Sequence, residues 1–131
     1  MYMLNRLRST LIIFALVLFT SLLISTTTFA NDNPNAIFKL IPTQNIFTLL
    51  KLNTRTGQLW QVHVSIDSGD LRATFPINLI VLTETPAKDT FGLYPTGNMY
   101  NFILLDHTDG RTWQVQWNPK EKHRFIIPIP S

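Results

Sequence analysis

The chain has 131 residues, with 11 lysine and arginine side chains against 8 acidic ones, and it contains no cysteine. The lack of cysteine excludes disulfide bonds and thiolate metal sites. Basic residues do not cluster among aromatic ones, so nucleic acid is not an expected partner. A chain of this length can form one small domain with its own core.

The first 30 residues have the pattern of a secretory signal peptide. Arg6 and Arg8 precede an apolar run over residues 11–24, and the mainly polar residues that follow end at Ala30. A basic region, a short apolar region and a small final residue together predict cleavage after Ala30. The run is shorter than the roughly 20 residues of a membrane-spanning helix, so an uncleaved anchor is the less favoured alternative.

The predicted mature chain is periplasmic or secreted and nearly neutral. It has 101 residues (131 − 30), and the loss of Arg6 and Arg8 leaves nine basic and eight acidic residues, a net charge of +1 (9 − 8). We expect residues 31–36 to be a polar leader and residues 37–131 to be a single domain. Contact with a membrane is expected only through the signal segment.

The two halves of this domain repeat each other. Glycine 57 and glycine 110 align at an offset of 53 residues (110 − 57), and the matched pairs include Trp60/Trp113 and Gln61/Gln114. A repeat of this size indicates one supersecondary unit used twice, with each copy covering the apolar face of the other. Two copies are too few for a solenoid, so we expect a closed two-unit structure or an oligomer that completes a ring. The two repeats span residues 38–82 and 91–129.

The centre of each repeat predicts a β-hairpin. The sequences Asn-Thr-Arg-Thr-Gly and Asp-His-Thr-Asp-Gly each end in glycine, which takes the left-handed conformation of such a turn without Cβ strain. After the turn, apolar and polar residues alternate with a period of two, which indicates a half-buried antiparallel strand. We expect Trp60 and Trp113 to point inward, and Gln61 and Gln114 to point outward.

These elements predict an all-β fold of about eight antiparallel strands in two related four-stranded units, with the last strands at 75–82 and 124–129. A sandwich or flattened barrel is expected, and a pair of propeller-like blades is the alternative. The hairpin resembles the turn of quinoprotein-type propeller repeats, in which an aspartate is followed by Thr-Gly and then by tryptophan. In that family the tryptophan usually lies four residues after the glycine, whereas Trp60 and Trp113 lie three residues after it. The chain is therefore not assigned to that family.

Residues capable of catalysis or metal binding are few. His107 lies in the second turn with Asp106 and Asp109, but residues in such turns mainly serve backbone geometry. Asp67 and Asp70 flank a glycine, yet they lack the ligand spacing of an EF-hand calcium loop. The histidines have no metal-ligand spacing, and no serine lies in a motif that would activate it. We therefore expect no enzymatic activity, no metal and no cofactor.

The sequence thus predicts an exported β-domain that acts as a non-catalytic binding module for a protein partner or a cell-envelope polysaccharide. The alternatives are a lectin-like carbohydrate-binding module and a structural or assembly subunit that forms a homo-oligomer through its sheet edges. The predicted binding residues lie on the polar face of the strand after each turn: Gln61, His63, Gln114 and Gln116. Exposed loops on a rigid scaffold also gather binding residues, and the loop candidates are Asn53, Arg55, Asp106, His107 and Asp109.

Overall fold

The computed structural model describes residues 33–65 and 72–131. The predicted signal peptide and the loop that contains Asp67 and Asp70 lie outside these residues. The described part of the domain holds eight strands and one 3-10 turn: β1 Phe38–Pro42, β2 Thr48–Asn53, β3 Leu59–His63, β4 Ala73–Asn78, β5 Phe91–Pro95, β6 Asn101–Asp106, β7 Thr112–Gln116, the turn Glu121–His123, and β8 Phe125–Ile129. Over these residues, no helix has the length and apolar character needed to cross a membrane.

The strands form two separate antiparallel sheets of four strands each, in the orders β1-β2-β3-β4 and β5-β6-β7-β8. The predicted all-β fold of two related four-stranded units is therefore confirmed. Each sheet is an open meander in which consecutive strands are neighbours, and the two sheets share one apolar core. This arrangement is consistent with the predicted sandwich or flattened barrel.

The predicted hairpin turns have the geometry that their glycines indicate. Gly57 and Gly110 have φ angles of 76° and 79°. The N–H of each glycine donates to the carbonyl at the start of its turn, that of Asn53 (3.0 Å) or that of Asp106 (2.9 Å). The carboxamide oxygen of Asn53 also accepts the N–H of Arg55 at 3.0 Å, as in an Asx turn.

The fourth strand of the first sheet lies earlier in the chain than predicted. Strand β4 begins at Ala73 and ends at Asn78, so residues 79–82 lie outside the sheet. The side chain of Asn78 explains this end: its amide donates to the carbonyls of Gly57 (3.0 Å) and Ile80 (2.9 Å), and its oxygen accepts the N–H of Ile80 (3.0 Å). The buried carboxamide of Asn78 thus forms hydrogen bonds with backbone groups that would pair with each other if β4 were longer.

The two sheets pack through unlike faces, that is, faces that do not correspond to each other in the alignment of the repeats. The second sheet buries the face that carries Trp113, Val115 and Trp117, as predicted. The first sheet instead buries the face that carries Leu50, Leu52, Leu59 and Gln61; its tryptophan is on the other side. The prediction that Trp60 points inward and Gln61 outward is therefore wrong. The alternation in β3 separates Trp60 from Gln61 but did not by itself determine which face the second sheet would cover.

Candidate functional site

The outer face of the first sheet is an apolar surface, which we call the Trp60 face and define as Phe38, Leu40, Leu49, Lys51, Trp60 and Val62. These residues share a face because direct partners across antiparallel strands point to the same side of a sheet. One row runs across the sheet from Leu40 through Lys51 and Trp60 to Pro76. The neighbouring row contains Pro42, Leu49, Val62 and Thr74.

Aromatic and cationic groups lie at the centre of the Trp60 face. The rings of Phe38 and Trp60 are tilted against each other with centroids 6.3 Å apart. The Lys51 ammonium lies 4.6 Å from the Trp60 ring centroid and 5.9 Å from that of Phe38. Cation–π attraction of this kind holds the lysine stem flat over apolar surface while its charge stays in water.

The Trp60 face exposes side chains whose equivalents in the second repeat are buried. Phe38 and Leu40 are 52% and 63% exposed, whereas their equivalents Phe91 and Leu93 are 1% and 9% exposed. Soluble proteins rarely expose contiguous apolar patches without a use for them. Together with Trp60 on β3, these side chains make the Trp60 face an exposed aromatic and aliphatic surface.

The outer face of the second sheet is a second open surface, which we call the Ile127 face and define as Tyr94, Ile103, Leu105, Gln114, Gln116 and Ile127. Its central row runs from Tyr94 through Ile103 and Gln114 to Ile127. The two ends of this row, Tyr94 and Ile127, are 47% and 52% exposed. The Trp60 and Ile127 faces therefore lie on opposite outer sides of the two packed sheets.

The four predicted binding residues do not form one surface. Gln61 is fully buried between the sheets, where its oxygen accepts the N–H of Asn118 at 3.1 Å and its amide donates to His63 Nε2 at 2.8 Å. His63 lies on the same inner face. Gln114 and Gln116 are partly exposed on the Ile127 face, on the far side of the second sheet.

His63 needs its neutral form for these contacts. Its Nε2 accepts a hydrogen bond from Gln61, and its ring meets the edge of Phe75 with centroids 5.6 Å apart. Burial lowers the pKa of His63 below its usual value, and the nearby Arg124 guanidinium lowers it further. A proton on His63 Nε2 would remove its acceptor and place two cations close together.

The acid–imidazole group of the second turn does not converge on one point. The Asp106 carboxylate is fully buried within its own turn, where it accepts the N–H of Thr108 at 2.8 Å. Burial alone would raise the pKa of Asp106, but hydrogen bonds from Thr108 and the nearby Arg111 guanidinium hold it below its usual value. Asp109 pairs with Arg111 at 2.6 Å, and the same guanidinium also reaches Asp106 at 3.3 Å.

His107 points away from both carboxylates. Its Nδ1 donates to the carbonyl of Asp89 at 2.8 Å, and its Nε2 shares a hydrogen bond of 2.9 Å with the hydroxyl of Tyr94. Both ring nitrogens are thus occupied by structural contacts. Within residues 33–65 and 72–131, no three acidic or histidine side chains are placed to hold a metal ion. The roles proposed for the loop candidates, including Arg55, remain predictions.

A search of protein families, of curated proteins and of solved structures found no match. The candidate site therefore rests on this chain's own sequence and geometry.

The Trp60 face was missed by the sequence analysis, but the alignment of the two repeats contains a signal for it. Lys51 takes the position of Leu104, and Val64 takes that of Trp117. Leu104 and Trp117 are both fully buried. A lysine in the middle of a strand, at the position that a core leucine has in the other repeat, indicates that this face of the first repeat is not part of the core.

Proposed function

We propose that this protein is an exported, non-catalytic binding module that recognises a protein partner through its Trp60 face. The observation that carries this proposal is the exposure of Phe38 and Leu40 beside Trp60, at positions that form the core in the second repeat. Aromatic residues are enriched in protein interfaces whereas lysine is depleted, so Phe38 and Trp60 are the expected anchors of this face. The meander below them fixes the relative positions of these side chains.

The chemistry of the face favours a protein over an envelope polysaccharide. Sugar recognition relies on several polar groups that orient the hydroxyls, in addition to an aromatic surface. On the Trp60 face the charged or polar groups are few: Lys51, whose ammonium lies over the ring, and the indole N–H of Trp60. Apolar side chains of a partner would find matching surface here, whereas hydroxyl groups would lose hydrogen bonds to water.

The polar side chains considered as candidates for catalysis or binding form hydrogen bonds within the fold instead. Gln61 bridges the two sheets, Asp106 closes its own turn, and His107 links a strand to the linker between the repeats. A general acid or base needs a free lone pair or proton directed at a substrate. These three groups direct theirs at neighbouring backbone or side-chain atoms, which supports binding rather than catalysis.

Export forms the second part of the proposal and has its own measurement. The basic, apolar and small-residue pattern up to Ala30 predicts a mature N-terminus at Asn31. Intact-mass measurement of protein recovered outside the cytoplasm should give a chain of 101 residues (131 − 30). Recovery of the full-length chain in the membrane fraction would contradict the proposed processing.

Site-specific photo-crosslinking in the exporting cell tests the binding surface. A photoreactive residue at position 40, on the Trp60 face, should form adducts of defined mass with protein. The matched control carries the same residue at position 122, which is exposed in the turn Glu121–His123. Adducts in equal yield from both positions, or from neither, would contradict the proposed surface, and adducts with polysaccharide alone would favour the lectin-like alternative.

A further inference from the structure

We infer that the partner of the Trp60 face is a second copy of this chain, which binds head to tail through its Ile127 face. The inference rests on the proposed function, because it names the partner of the same surface. Its starting point is the contact that the two repeats already make with each other inside one chain. In that contact the inner face of the first sheet meets the opposite face of the second.

The internal contact provides a template for the contact between copies. On one side it uses Ile41, Leu50 and Gln61, and on the other it uses Leu93, Leu104 and Trp113. Each sheet has two faces, and the internal contact buries one type of face in the first sheet and the other type in the second. The remaining face of each sheet stays uncovered. Those two uncovered faces are the Ile127 face and the Trp60 face.

Each uncovered face reproduces its buried equivalent. In the Trp60 face, Phe38, Leu40 and Trp60 stand where the second repeat buries Phe91, Leu93 and Trp113. In the Ile127 face, the aliphatic pair Ile103 and Leu105 stands where the first repeat buries Leu50 and Leu52. The two outer surfaces of one chain therefore have the side chains needed to repeat the internal contact with the next chain.

Gln114 supports the same assignment. Its equivalent Gln61 accepts the backbone N–H of Asn118, in the loop that follows β7, at 3.1 Å. Gln114 lies at the same register position of its own strand and donates its amide to Asn101 at 2.9 Å, which leaves its oxygen directed away from that contact. In the head-to-tail contact, this oxygen takes the role that Gln61 has between the two repeats.

We expect the contact between copies to be weaker than the internal one, because several positions of the two faces differ and three of these changes remove apolar contact. Lys51 replaces the buried Leu104, Val64 replaces Trp117, and on the other face Thr112 replaces the buried Leu59. Placing an unpaired ammonium between two sheets costs desolvation energy. We therefore expect reversible association whose strength is limited by Lys51.

Edge-to-edge pairing is disfavoured by the sequence of the outer strands. Each of the four edge strands contains a proline: Pro42 in β1, Pro76 in β4, Pro95 in β5 and Pro128 in β8. A proline has no N–H to donate to an added strand and protects an edge from pairing. Association through the faces leaves these edges free.

The proposed contact is heterologous, since two different surfaces of the same chain meet. Heterologous contacts close into a ring when the rotation between copies permits it and otherwise continue as a filament. A closed ring of four-stranded sheets has the architecture of a propeller. Both assemblies contain the same interface, so one set of variants tests either.

The test uses two variants, each of which blocks one face, in the exported chain purified as cells release it. Leu40→Glu places a carboxylate on the Trp60 face, and Ile127→Glu places one on the Ile127 face. Both positions are more than half exposed, so the fold should be unchanged, as circular dichroism and the melting temperature will show. Phe38→Lys and Ile129→Lys provide a second pair should either variant be unstable.

Sedimentation velocity should show that the wild-type chain forms oligomers whose size increases with concentration. Each variant alone should be monomeric, and an equal mixture should form a heterodimer, because each supplies the intact face that the other lacks. Lys51→Leu, which restores the residue of the internal contact, should lower the dissociation constant by about tenfold or more.

Three results would overturn the head-to-tail contact. They are a monomeric wild type at all concentrations, a monomeric Lys51→Leu variant, and a mixture of the two blocked variants that stays monomeric. If position 40 still forms crosslinks to a different protein in the cell, the binding-module proposal stands and only the identity of the partner falls. If position 40 forms no crosslinks at all, both proposals fall.

Discussion

Truncation of the two equivalent tryptophans should have unequal effects on stability. Trp113 is 6% exposed and packs against the Phe91 ring at a centroid distance of 6.0 Å. Removing a large aromatic side chain from a core costs about 3–5 kcal/mol. Trp60 is only partly buried, on an outer face, where it contacts the Phe38 ring and the Lys51 ammonium. An aromatic pair and a cation–π contact contribute about 1–2 kcal/mol together.

The difference is measured by equilibrium unfolding in urea, followed by far-ultraviolet circular dichroism because the mutations remove fluorophores. The measurement is made at low protein concentration so that association does not contribute to stability. Trp113→Ala should lose most of the unfolding free energy or fail to fold, while Trp60→Ala should retain a cooperative transition with a modestly lower midpoint. Equal losses, or a larger loss for Trp60→Ala, would refute the assignment of inner and outer faces.

Three further outcomes are expected. Gly57→Asn should lower the melting temperature more than Gly110→Asn. A Cβ at position 57 would lie 2.8 Å from Leu82 Cδ1, whereas a Cβ at position 110 would have no atom within 4 Å. Equal melting temperatures would contradict this. The pKa of His63 in the folded state lies below the usual 6.5, so the unfolded state takes up the proton first and stability should fall as the pH drops below about 6.5. His63→Gln should flatten that fall, and an unchanged pH dependence in this variant would contradict the assignment. Asp106→Ala should lower the unfolding free energy by about 1–3 kcal/mol in urea titrations because the Thr108 N–H loses its buried acceptor, and an unchanged midpoint would contradict this.

The repeat and its turns could be predicted from the sequence because both depend on local chemistry. Positive φ at Gly57 and Gly110 follows from the turn that their neighbours form, and the 53-residue offset carries the first three strands of one repeat onto those of the other. The end of the fourth strand depended instead on the side chain of Asn78, whose partner Gly57 lies 21 residues away. A contact over that separation leaves no periodic signal.

The position of the candidate site depends on which face the neighbouring sheet covers, and the alternation in one strand does not determine that. Alternation in β3 separates Trp60 from Gln61 but does not say which of them is inside. Only Lys51 in β2, at the position of Leu104 in the other repeat, indicates that the Trp60 side is the outer one. The assumption that equivalent residues have equivalent burial holds for sheets that meet through like faces. Here unlike faces meet, so Trp60 and Trp113 have different environments despite their equivalent positions, and so do Gln61 and Gln114.

The contact between unlike faces is tested most directly by hydroxyl-radical footprinting of equivalent residues within one chain. The Ile127→Glu variant is the sample of choice, because it should remain monomeric and leave the Trp60 face open to solvent. We predict that Phe38 and Trp60 are oxidised several-fold faster than Phe91 and Trp113. Equal oxidation rates within each pair would mean that the two repeats meet through like faces, and would contradict both the candidate site and the head-to-tail contact derived from it.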